Sequence, residues 1–229
     1  MVARSRGPSG RRFDFHSHTY LTDGNESATS MWLAASRLDH RLLAITDHVA
    51  LEDPGRILGQ LHAESAAFTD GPMATLVGVE LTLLPPRRIA VTARRARSAG
   101  AQIVIVHGET TAEYVPVGTN RAAIDSGQVD VLAHPGFLTE REAELAAANG
   151  VALEISGRSL HSRTNGHVAR LALAAGADVV VDSDAHSPSQ LLDYETAAML
   201  ARGAGLTPGQ CRVALERAPL QVLRRCRGR

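Results

Sequence analysis

Seven short, nearly continuous runs of β-branched and aliphatic residues alternate along the chain with alanine- and arginine-rich segments of helical character. The spacing predicts strands at 12–16, 42–46, 75–81, 103–107, 129–133, 151–155 and 178–182. Helices are predicted at 27–38, 54–67, 87–99, 119–126, 140–148 and 166–175. Runs such as IVIV, VDVL and DVVV leave no polar face, as expected of parallel strands covered on both sides. Gly100, Gly127, Gly150 and Gly176 stand where helices should end, a place that favours a left-handed cap. Seven βα alternations without a hairpin signal restrict the fold to an α/β barrel or a doubly wound sheet. Beyond Ser187 the pattern is helical. With no linker or repeat in view, residues 13–229 read as a single domain behind a flexible arm, 1–12.

The predicted strands end in an unusual set of side chains. Strand one carries His16 and His18, with Asp23 beyond; strand two ends at Asp47-His48; strand three ends at Glu80. Strand four ends at His107, strand five at His134, strand six at Glu154, and strand seven runs into Asp184 and His186. Alternation puts His16 and His18 on one face of an extended strand, with Phe13, Phe15 and Ser17 on the other, so both imidazoles can reach one ion. Parallel strands present their C-terminal ends on one face, where α/β barrels assemble their sites. Six of the ten histidines fall at these ends, which points to a metal site.

Composition narrows the chemistry. With 44% hydrophobic but only 3% aromatic residues, the core is expected to be Ala, Val, Leu and Ile. All 24 basic residues are arginine, which excludes a Schiff-base lysine, a carbamylated-lysine metal bridge and a P-loop lysine. The formal net charge is zero, so nucleic acid is an unlikely partner and no membrane surface is indicated. Cys211 and Cys226 form no CxxC pattern, and the first twelve residues do not resemble a signal peptide. Together with the lack of a membrane-length apolar run, these features suggest a cytoplasmic protein.

The motifs DFHSHT, LTDG, AITDH, GVE, VHGE, LAHPG and SDAH follow one another between residue 13 and about residue 188. This series resembles the polymerase and histidinol phosphatase (PHP) superfamily. The resemblance implies a distorted (β/α)7 TIM-like barrel holding two to three divalent ions (zinc, manganese or iron) at its C-terminal face. It implies His16, His18, Glu80 and Asp184 for a first ion, and Glu80, His107 and His134 for a second. Asp23, His48 and His186 would hold a third.

Such ions lower the pKa of a bound water and offset the charge of a phosphoryl group, which suits phosphate-ester hydrolysis. The expected activity is that of a metal-dependent phosphatase or phosphoesterase acting on a small, histidinol-phosphate-like monoester. Glu80, Asp184 and His186 would serve as catalytic ligands, and His161 would protonate the leaving group. Arg158 and Arg163 are expected to clamp phosphate, with Asn120 and Arg121 beside a helix start that could receive an anion. Asp47 is read as orienting a metal ligand. The alternatives are a nucleotide or oligonucleotide 3′-phosphoesterase or exonuclease, a TatD- or amidohydrolase-like hydrolase, and a non-catalytic, metal-stabilised module. The TDH after strand two and the Asp184/His186 pair argue against the amidohydrolase type. His40, His62 and His167 are read as structural or exposed, Arg94, Arg95 and Arg97 as a solvated face, and the arginines from Arg217 onward as a solvated helix. The sequence fixes no oligomeric state.

Overall fold

A computed structural model describes residues 12–68 and 73–228. The strands β1 (Arg12–Asp14), β2 (His40–Ile45), β4 (Ala74–Leu81), β5 (Ile103–His107), β6 (Val131–Ala133), β7 (Ala152–Ser156) and β8 (Val179–Asp182) pair in parallel in that order. A two-residue strand, β3 (His48–Val49), resumes pairing with β4 after Thr46-Asp47 and sets His48 opposite Glu80. The result is a nearly closed seven-stranded barrel, as the motif series implies.

Helices α1 (Ala28–Arg37), α2 (Gly55–Ala67), α3 (Pro86–Ser98), α4 (Thr119–Asp125), α5 (Glu140–Asn149) and α6 (Asn165–Ala175) supply the crossovers. The chain then runs through α7 (Tyr194–Gly203) and α8 (Pro208–Arg212) to α9 (Ala218–Arg227). Helix α5 is fixed at its start by a reciprocal capping box between Thr139 and Glu142, and at its end by Gly150 at φ 68°. Among the described residues, no helix is long and apolar enough to cross a membrane.

Alternation along the strands divides the core. Val77, Val79, Val104, Val106, Leu153, Ile155, Val179 and Val181 face the helices. Ile103, Ile105, Val131, Ala133, Ala152 and Val180 face inward and, with Phe13 and Phe15, fill the lower barrel, where α9 adds Ala218 and Val222. The same inward phase, carried further up each strand, brings Glu80, His107, Glu154 and Asp182 into the upper barrel.

Strand β1 departs from the expected 12–16. Its ladder ends at Asp14, and the chain meets β8 only through a bridge between Ser17 and Ala185. Two buried carboxylates stitch this seam. Asp182 Oδ1 accepts from the Phe15 amide at 2.8 Å, and Asp14 Oδ1 accepts from the Ser183 amide at 3.0 Å. With the ladder interrupted, strict alternation fails, and Phe15 and His16 both face inward. Arg12, placed from sequence both at the end of the arm and at the start of strand one, is buried at the start of β1 and paired with Asp14. Residues 1–11 of that arm lie outside the described residues.

Candidate metal centre

Glu80 is the hub of the barrel mouth. Its carboxylate lies between 2.9 and 3.6 Å from ring nitrogens of His16, His18, His48, His107 and His134. Asp184 stands opposite, with Oδ1 3.4 Å from His18 Nε2 and 3.8 Å from His16 Nε2. On the outer side, Asp23 Oδ2 is 3.0 Å from His186 Nε2 and 3.5 Å from His48 Nε2. The nine residues that the motif series implies as ligands therefore gather at one mouth.

The backbone reflects that crowding. His134 and Asp184 both adopt positive φ, at 27° and 51°, a region that non-glycine residues rarely occupy. Each turns its side chain inward just past the end of a strand. In the LAHPG motif, Gly136 takes φ 63°, and a Cβ there would stand 1.8 Å from the Glu109 carbonyl oxygen. Only glycine lets the loops after β5 and β6 approach so closely.

Both Glu80 oxygens, His16 Nε2, both ring nitrogens of His18, His48 Nδ1 and His107 Nδ1 are buried without a hydrogen-bond partner. Burying such groups unpartnered is costly, and a divalent cation among them would remove the cost. Mixed imidazole and carboxylate donors fit zinc, manganese or iron. Burial alone would raise the pKa of Glu80, yet His16 and His48, helped by His107 and His134, hold it well below the usual carboxylate range. Burial keeps His18 neutral down to about pH 3, whereas at His48 the charges of Glu80 and Asp23 outweigh burial and raise the pKa to about 10.

The surrounding contacts hold these groups in place. Glu154 Oε2 sits 2.7 Å from His16 Nδ1 and leaves Nε2 directed at Glu80. Its signal was a carboxylate in the apolar run VALEIS, whose burial demands a partner. Asp47 accepts from Thr19 N, Thr19 Oγ1 and Thr22 Oγ1, each at 2.7 Å. Its carboxylate thus secures the loop that carries Asp23, and its carbonyl accepts from Glu80 N at 3.1 Å, so it holds two implied ligands through the backbone. Glu113 reaches His107 Nε2 at 3.3 Å from a loop without periodicity, so nothing in the sequence marked it.

The substrate-binding expectations divide. Arg158 lines the mouth, with Nη1 2.5 Å from His186 Nδ1 and Nε 3.9 Å from Asp184 Oδ2. Arg163 is exposed and does not line the cavity. Asn120 is buried and structural: Oδ1 accepts from Glu109 N at 2.9 Å, and Nδ2 donates to Pro135 O at 2.8 Å. Arg121 pairs on the surface with Asp125, one helical turn on. The α4 amides expected to receive a substrate anion already bind the carboxylate of Glu109, at 3.0 Å from Gly118 N and 2.9 Å from Asn120 N. Arg97 also departs from the expected solvated face, pairing with buried Asp130. His161 does line the cavity, but burial and the neighbouring His134 hold its pKa at about 3. That shift runs against the proton-donor role read from sequence, which needs an imidazolium at neutral pH.

Residues 12–229 match the family described as RNase P subunit p30. Uncharacterized protein MJ1295 of Methanocaldococcus jannaschii is 39% identical over 217 residues, 93% of this chain and 99% of that protein. Ribonuclease P protein component 3 of Methanosarcina mazei is 33% identical over 165 residues, 66% of each chain. The crystal structure of histidinol phosphate phosphatase from Lactococcus lactis, complexed with zinc, L-histidinol and phosphate, shares the fold. It superposes with TM-score 0.61 over 87% of this chain and 95% of that one, at 17% identity.

These relationships overturn the expectation that nucleic acid is an unlikely partner, since the matching family is that of a ribonuclease P subunit and the Methanosarcina mazei relative is a ribonuclease P protein component. Zero net charge is a sum over the chain and hides local concentration: the last turn of α9 alone holds Arg224, Arg225 and Arg227. The chain belongs to the RNase P subunit p30 family, within the PHP superfamily that its motifs resemble.

Proposed function

We propose that this chain is a metal-dependent phosphoesterase whose substrate phosphate is carried on a nucleic acid or nucleotide. The observation that carries this reading is the convergence of five imidazoles on the buried Glu80 carboxylate, with Asp184 opposite and Arg158 at the rim. Among the residues implied as ligands, His16, His18, Glu80 and Asp184 would hold one cation, and Asp23, His48 and His186 another. Bound divalent ions supply a water of lowered pKa and offset the negative charge of the phosphoryl group. The guanidinium of Arg158 binds and orients the phosphate oxygens. Asp184, held ionised by His16, His18 and His134 against its burial, accepts a hydrogen bond from the attacking water. The family relationship supports nucleic acid as the carrier of the phosphate.

A small, histidinol-phosphate-like monoester is the second reading, favoured by a cavity of about 330 Å³ at the mouth. Phosphate release by manganese- or zinc-loaded protein from phosphorylated metabolites and from short oligonucleotides with 3′- or 5′-phosphates separates the two. Full activity after chelation refutes the mechanism, and no release from any substrate favours a non-catalytic, metal-stabilised module.

A further inference from the structure

We infer that Tyr114 and Phe137 are base-stacking residues, a rim beside the metal centre that binds the unpaired nucleobases next to the phosphate held by Arg158. The inference rests on the nucleic-acid reading proposed above and adds the residues that recognise the base. The chain holds four phenylalanines, three tyrosines and one tryptophan. Among them only Tyr20, Tyr114 and Phe137 are exposed, and all three stand in loops that follow strands at the mouth of the barrel. An exposed ring forgoes the stability that its burial would bring, and apolar side chains gathered on one rim mark a binding surface.

Neighbouring contacts place two of these rings beside the cavity. Tyr114, 81% exposed, follows Glu113, whose Oε1 is 3.3 Å from His107 Nε2 and 3.7 Å from His161 Nε2. Phe137, 70% exposed, follows Gly136, which packs directly on the Glu109 carbonyl and joins the loops after β5 and β6 into one wall. Leu83, 71% exposed, extends that wall from the loop after β4 and lines the cavity itself. The Phe137 ring is already oriented. It meets the edge of His167 at 5.4 Å with 76° between planes, and His167 Nε2 is fixed in turn by donating to Leu138 O at 2.7 Å. A nucleic-acid strand alternates anionic phosphates with flat, apolar bases. The mouth matches that alternation, with Arg158 and the implied cation ligands at the centre and rings at the edge. Bases in a duplex already stack on one another, so only unpaired bases offer a face to these side chains.

Fluorescence anisotropy on the full chain, under chelation so that no turnover intervenes, tests the rim. The probes are single strands about ten nucleotides long, phosphorylated at the 5′ or 3′ end, and the same strands with abasic residues beside the phosphate. Abasic replacement is expected to weaken binding about 5–100-fold. Tyr114→Ala and Phe137→Ala are expected to weaken binding of the intact strand by a similar factor and to leave the abasic strand unaffected. Tyr114→Trp should restore binding, and Met199→Ala, exposed on α7, should change neither strand. Circular dichroism confirms that these surface variants keep the fold. Equal wild-type affinity for intact and abasic strands, no binding of either, or equal weakening of both by the rim variants overturns the inference and gives the rim to a protein partner. Base-dependent binding without phosphate release from any substrate by the metal-loaded protein refutes the phosphoesterase and leaves the rim standing. Phosphate release from small monoesters with no base dependence does the reverse.

Discussion

His16 Nδ1 and Glu154 Oε2 are 2.7 Å apart at the centre of the barrel, and both side chains are fully buried. A proton placed on Nδ1 in this contact leaves the lone pair of Nε2 pointing at Glu80. Glu154→Gln retains size and an acceptor but removes the charge that makes His16 a strong donor to a cation. Affinity for zinc or manganese, measured by isothermal titration calorimetry, should fall about tenfold or more with circular dichroism unchanged. An unaltered affinity would reduce Glu154 to a space-filling role.

The arginines near the mouth are separable by kinetics. Arg158 faces Asp184 and His186, whereas Arg121 is held in an exposed pair with Asp125 and Arg163 does not line the cavity. Arg158→Ala should raise KM for a phosphate ester about 10–100-fold, the worth of a charge-assisted hydrogen-bond pair, with metal content preserved. Arg121→Ala and Arg163→Ala should leave KM within about twofold. Equal effects in all three variants would place the phosphate elsewhere.

The strand ends were legible because a barrel converts a one-dimensional pattern into one location: a histidine or acid closing each apolar run has to arrive at the same face. That logic found His16, Glu80, His134 and Asp184 but could not give their pairwise geometry. Nor did it show that His161 stacks on the His134 ring beside the Glu80, His107 and His134 set that the resemblance implies. Loops were the other blind spot. Asn120 and Arg121 precede a helix in a way that invites a ligand anion, yet Glu109, eleven residues before Asn120, already fills that place. The seam between β1 and β8 was hidden for a similar reason. The sequence pattern does not single out Asp14 or Asp182, and only the closed barrel shows them accepting from backbone amides across it.

Gly136 offers a test of how tightly the loops after β5 and β6 must pack. Its φ of 63° disfavours any side chain, and a Cβ would overlap the Glu109 carbonyl oxygen. Gly136→Ala should destabilise the protein by about 1–3 kcal/mol, combining backbone strain with overpacking. Because His134 lies two residues away, cation affinity should fall as well. Urea denaturation of the chelated protein reads the first effect, and an unchanged midpoint would mean that the two loops yield freely.

Asp182 gives the stability a specific pH dependence. Burial, followed by the charges of Asp14 and Glu154, raises its pKa well above the usual carboxylate value, with Arg12 only partly offsetting them. The folded state therefore holds a proton that the unfolded chain releases. This contribution is complete below about pH 3.9, the unfolded value, and is lost as pH rises through the higher native value. Asp182→Asn keeps an oxygen to accept from the Phe15 amide and carries no charge at any pH. Melting temperatures of the chelated proteins should therefore converge toward acid and separate toward pH 8, with the variant more stable by at least about 1 kcal/mol, or roughly 2–4 °C. Parallel curves across that range would show that Asp182 is ionised in the folded protein.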